Sequence, residues 1–193
     1  MVPFLTSLFV KQATFFKKRI YCTILVTVFI WALLLWDYFH GGVPSHHLLQ
    51  NKDLPAFSNW WGGVLLPLLT WFLLYRSQVR IAKEASSSAL PSSFVAYFVG
   101  ALLFGIVLSV FFKFGNQDVP FYMLVGLLVL AFFLPIYRAE CLLGFAIGMT
   151  FTFGGVLPIL IGTILVLLCS VLYLALRPTA LFVYNKIANL LHK

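Results

Sequence analysis

Cys141–Leu176 reads CLLGFAIGMTFTFGGVLPILIGTILVLLCSVLYLAL, without one charged side chain. About 20 residues cross the hydrocarbon core of a bilayer as a helix, at about 1.5 Å each, so this stretch is too long for one span and sufficient for two. Gly154-Gly155 and Pro158 supply the place to turn. Spans over 141–155 and 158–176 are therefore expected.

Working toward the N-terminus, the same criterion predicts spans over 119–137, 93–112, 59–75 and 20–38. The fold class is thus all-α: a polytopic membrane protein, a bundle of about six transmembrane helices forming a single transmembrane domain over 1–193. Composition agrees, because apolar residues make up 62% of the chain and charged residues 9%. Soluble domains are roughly a quarter charged and need that polar surface to meet water. A cleavable leader is not expected, since the apolar run after Lys17-Lys18-Arg19 is long enough to span and ends in Trp36-Asp37-Tyr38.

The net charge of +8 lies in small groups at the ends of apolar runs, with no basic stripe. That excludes a nucleic-acid binder and matches the bias that orients membrane helices. Lys11, Lys17, Lys18 and Arg19, then Arg76, Arg80 and Lys83, then Arg138, then Arg177, Lys186 and Lys193 fall on one side of a six-span chain. Lys52 and Lys113 fall on the other. Both termini are therefore expected in the cytoplasm, in the cytoplasmic (inner) membrane if the source is bacterial.

The chain ends read as amphipathic helices on the membrane surface: Phe4, Leu5, Leu8, Phe15 and Phe16 mix with Lys11, Gln12 and Lys17, and Val183, Ile187, Leu190 and Leu191 with Asn185, Lys186, Asn189 and Lys193. Pro67 and Pro135 should kink their helices, Ser58 can cap the second span, and Asp118 can cap the fourth with Pro120 in its first turn. Gly144/Gly148 and Ala96/Gly100 are small residues four apart, which let helices approach closely. They serve packing within the bundle or a contact with a membrane-protein partner or a second copy. Cys22, Cys141 and Cys169 show no ligand or disulfide spacing and read as small apolar side chains.

Polar residues concentrate in the outer segment 37–61, which holds Asp37, His40, Ser45, His46, His47, Asn51, Asp53 and Asn59, with Trp60 and Trp61 at its end. Asp37 and His40 share a face if the last turn of the first span stays helical. Ser45 can cap a short helix from His46 to about Lys52. Four readings follow. In the first, His40, His46, His47 and Asp53, with Asp37, hold a transition metal (zinc, iron, copper or manganese), although the spacing matches no established site such as HExxH. In the second, a histidine oriented by Asp37 or Asp53 is the general base of a membrane enzyme acting on a lipid or lipid-linked substrate, with no GxSxG elbow present. In the third, Trp60, Trp61, Asn51 and Asn59 bind a ligand at the outward mouth of a small permease or transporter component. In the fourth, the tryptophans are an aromatic belt on a non-catalytic scaffold or assembly factor. The permease mouth is the working expectation. Arg138 and Glu140 form a lesser polar site on the cytoplasmic side, where the arginine either binds lipid phosphate or, the favoured reading, simply marks the inside end of its span.

Overall fold

The computed structural model describes residues 2–43, 45–47, 56–84, 91–115 and 118–191. The elements in order are α1 (Val2–Phe39), β1 (Ser45–His47), β2 (Ala56–Ser58), a 3-10 turn (Asn59–Trp61), α2 (Gly62–Glu84), α3 (Ser92–Lys113), α4 (Asp118–Phe133), α5 (Ala139–Phe153), α6 (Val156–Val171), a π-helical stretch (Leu172–Leu176) and α7 (Arg177–Leu191). Among the described residues, three helical stretches are long and apolar enough to cross a membrane: Phe15–Phe39, Ser92–Lys113 and Val156–Ile187. α4 and α5 are apolar but shorter, at 16 and 15 residues.

α5 is the hub. It packs against α2, α3 and α6, and all its residues from Glu140 to Thr150 are buried except the half-buried Ile147. Val26, Ile30 and Leu34 of α1 meet Leu66 of α2 and Ala146 of α5 in one core cluster. Leu108 of α3 packs with Phe145, Met149 and Phe153 in a second. Contact between α3 and α5 is made through small residues: a Cβ on Gly105 would lie 2.8 Å from the Phe145 carbonyl oxygen, and one on Gly148 would lie 2.5 Å from that of Leu102. Gly144 abuts the Phe98 carbonyl in the same way. Gly144 and Gly148 therefore face α3 of their own chain, the internal-packing alternative, while Gly100 has open space in front of it. Close backbone approach of this kind is how apolar helices gain contact where solvent gives no driving force.

The turn at Gly154-Gly155 falls where the sequence placed it, between α5 and α6. Several other expectations are corrected. Pro135 ends α4 at Phe133 instead of kinking a span that runs to residue 137, because a proline disfavours helical backbone in the residue before it. α2 continues past Tyr75 to Glu84, since Arg76, Arg80 and Lys83 are good helix formers and nothing breaks the run. Neither terminal segment is a separate surface helix. α1 is unbroken from Val2, and α7 continues α6 through the π stretch. There Arg177 N–H donates to the Leu172 carbonyl five residues back, just before Pro178, which has no N–H to give. Ser58 caps the 3-10 turn rather than α2, accepting from Trp60 N–H at 3.4 Å. Asp118 is the first residue of α4.

The expected short helix does not start at His46, which lies in a strand; the rest of it, residues 48–52, lies outside the described residues. Ser45–His47 pairs antiparallel with Ala56–Ser58, with His46 opposite Phe57. The chain enters this hairpin through Gly41 (φ 126) and Gly42 (φ 94), backbone conformations that glycine reaches without steric cost.

Candidate functional site

A cavity of about 210 Å³ opens at the end of the bundle where α1 finishes and α5 turns into α6. Its wall includes Asp37, Asn59, Lys113, Thr150, Thr152 and Gly154, with Ile30, Leu34 and Trp36 as the apolar part. Asp37, Asn59, Lys113 and the two threonines arrive on four different elements. Asp37 lies in the last turn of α1, where its carbonyl oxygen accepts from His40 N at 3.1 Å and Gly42 N at 2.9 Å. Lys113 is the last residue of α3, with its ammonium 5.9 Å from the ring centre of Phe151. Thr150 is buried in α5, its hydroxyl donating to the Ala146 carbonyl at 2.7 Å.

Asn59 is the unusual member. It is only 2% exposed, and its Oδ1 has no hydrogen-bond partner among the described residues. An amide buried without a partner costs free energy, about 1–3 kcal/mol by mutational measure. The fold makes room for it deliberately. Gly154 adopts φ +70, and any Cβ there would run into the Asn59 amide. Gly62, just after the 3-10 turn, lies against Gly155, so the entry to α2 is clamped to the α5–α6 turn. The described ion pairs do not include one between Asp37 and Lys113. The wall thus presents a carboxylate, an ammonium and an amide acceptor around one space.

Of the residues singled out in the sequence, Asp37 and Asn59 come together here. His40 does not. Its ring stacks on Trp36 at 4.0 Å, and its Nδ1 sits 2.9 Å from the Trp36 carbonyl oxygen, so it caps the end of α1 rather than pairing with Asp37. Trp60 packs near Trp31 and Tyr38, at 6.1 and 6.3 Å between ring centres. Trp61 is exposed, in keeping with a belt position. His46 and His47 are placed by backbone pairing alone, and Asn51 and Asp53 lie outside the described residues. Among the described residues no three His, Cys, Asp or Glu side chains gather as a metal-ligand set.

The opposite end of the bundle carries a second polar cluster. Glu140 is 1% exposed. Its carboxylate accepts from Arg80 Nη2 at 2.7 Å and from Ser77 Oγ at 3.3 Å. Arg138, the other residue of the lesser polar site, does not join this cluster and lies over the ring of Tyr97 at 5.0 Å. Arg19 of α1 stacks on Trp71 at 3.9 Å and reaches Gln78 at 3.5 Å, on the same side.

No family model, no curated protein and no solved structure matches this chain. Chemistry and geometry alone must carry a functional reading.

Lys113, Thr150 and Gly154 of the cavity wall escaped sequence reasoning, since each looks like an ordinary helix-end or core residue. Glu140 did carry a signal: an acid at the start of an otherwise uncharged 36-residue apolar stretch, Cys141–Leu176, must find a partner.

Proposed function

We propose that this chain is a six-span integral membrane protein, with both termini cytoplasmic, that acts as a small permease or transporter component. Its outward mouth is the cavity between Asp37, Asn59 and Lys113. The observation that carries this reading is the buried Asn59 amide, which lines the cavity with an unpartnered acceptor. Such a group is retained where a ligand donor completes it. A carboxylate and an ammonium on the same wall suit a small polar molecule with both a positive and a negative group.

The distribution of charge supports the orientation. Arg19, Arg80, Arg138 and Arg177 belong to the Glu140 end, and Lys113 to the Asn59 end. Positive residues favour the cytoplasmic side, which supports an outward-facing Asn59. α5 spans about 22 Å at 1.5 Å per residue, less than the hydrocarbon core of about 30 Å. A short central helix of this kind leaves its outer end beneath the surface, where a pocket can form.

The reading is tested by single-cysteine labelling in intact cells, with Cys22, Cys141 and Cys169 replaced by alanine. Thr152→Cys should react with a membrane-impermeant methanethiosulfonate added outside. Thr152→Cys inert to the reagent from both faces of the membrane, in protein that is correctly inserted, would overturn an aqueous outward mouth.

A further inference from the structure

A second cavity, of about 360 Å³, lies among α3, α4, α5 and α6. Tyr97, Gly100, Phe104, Leu130, Phe145 and Cys169 are representative of its wall, which is apolar almost throughout. Cavities of this size accept ligands, and apolar ones stay dry and bind apolar matter. Gly100 contributes no side chain, and a Cβ built on it meets nothing within 4 Å.

The Glu140 end of this cavity is ringed by aromatic and basic groups. Tyr97 lines the wall and carries the Arg138 guanidinium at 5.0 Å. Tyr137, next in the chain to Arg138, meets the Tyr173 ring at 5.5 Å. Tyr173 in turn carries Arg177 at 4.7 Å. Tyr173 lies in the π-helical stretch, an irregularity frequent at functional sites. Glu140 is engaged by Arg80 and Ser77, and among the described residues it forms no ion pair with Arg138. The result is an apolar slot whose wall residue Tyr97 carries one guanidinium, with a second, that of Arg177, on the Tyr173 ring beside Tyr137, at the end assigned to the cytoplasmic face.

We infer that this is a binding site for one anionic phospholipid. An acyl chain lies in the slot along Gly100 and Phe104, and the headgroup phosphate is held by Arg138 and Arg177. Basic pockets between helices on the cytoplasmic side suit anionic headgroups, and guanidinium–phosphate bonds are charge-assisted and bidentate. The inference rests on membrane embedding and orientation as proposed above, but not on transport.

The test is native mass spectrometry and thermal unfolding of detergent-purified, delipidated protein, titrated with phosphatidylglycerol, phosphatidylcholine or inorganic phosphate. Wild type should bind one phosphatidylglycerol at least tenfold more tightly than phosphatidylcholine, with a matching rise in melting temperature. Inorganic phosphate alone should give no rise. Arg138→Gln with Arg177→Gln should abolish the preference between the two lipids. Gly100→Leu, which has room to fold, should fill the slot and weaken both. Equal binding of the two lipids by wild type, or a preference that survives the double arginine variant, would sink the inference. So would stabilisation by phosphate alone. Failure of the chain to enter the membrane fraction would instead remove the embedding on which it rests.

Discussion

Gly62 and Gly155 meet backbone to backbone: a Cβ on Gly62 would lie 2.9 Å from the Gly155 Cα, and one on Gly155 would lie 2.7 Å from the Gly62 Cα. Neither position has a flexible neighbour that could give way. Gly62→Ala or Gly155→Ala should destabilise the detergent-solubilised protein by about 1–3 kcal/mol, the usual cost of overpacking. Gly126→Ala, facing open space, serves as the control and should change little. Thermal melts of the three variants settle the comparison, and equal melting temperatures would contradict the clamp.

The Arg80–Glu140 contact invites a double-mutant cycle. Removing one partner of a buried pair is costly because the other charge is left in a poor environment. Arg80→Gln and Glu140→Gln should each lower stability, with a coupling energy of about 1–3 kcal/mol between them. Arg138→Gln should show no comparable coupling to Glu140→Gln. Coupling to Arg138 instead of Arg80 would mean that the pairing described here is wrong.

Asn59→Leu separates stability from activity. Replacing a buried amide whose oxygen lacks a partner with an apolar side chain of similar volume is expected to be neutral or stabilising. The same change removes the acceptor from the cavity wall. The variant should melt at or above the wild-type temperature, and Thr152→Cys in that background should react more slowly with the outside reagent, as the mouth becomes less hydrated. A clear loss of stability would assign Asn59 to structure.

Orientation has its own check. A cysteine at Gly115, beyond α3, should label from outside, and one at Tyr184, on α7, only after the membrane is permeabilised. The reverse pattern would invert the topology and place the arginine-rimmed slot on the outer leaflet.

Helix positions were legible because their punctuation is local. Gly154-Gly155 divides α5 from α6, and the uncharged run Ser92–Phe112 forms α3 as expected. What the sequence concealed depends on distant partners. Glu140 sits two residues from Arg138, yet pairs with Arg80, sixty positions earlier, because α2 stays helical past its apolar part and brings that guanidinium alongside α5. The β1–β2 hairpin was invisible for a different reason: strands of three residues are too short to show alternation, and Ser45 preceding His46 imitates a helix cap. Of the outer site, Asp37 and Asn59 were marked by polarity within an apolar chain. Lys113 and Thr150 were not, since nothing in their neighbourhood predicts that α3 and α5 end at the same space.

Gly154 meets two demands with one residue. Its positive φ makes the reversal from α5 to α6, and its missing side chain seats the Asn59 amide against the cavity. Cavity shape and folding are thereby locked to the same residue, so mutational drift cannot retune that part of the wall without unmaking the α5–α6 turn. Changes in preference for the proposed ligand are expected to enter through Asp37, Lys113 and Thr152, which line the same space. A saturation library of the cavity should therefore split sharply, with almost no survivors at Gly154 and altered but folded proteins at the other three.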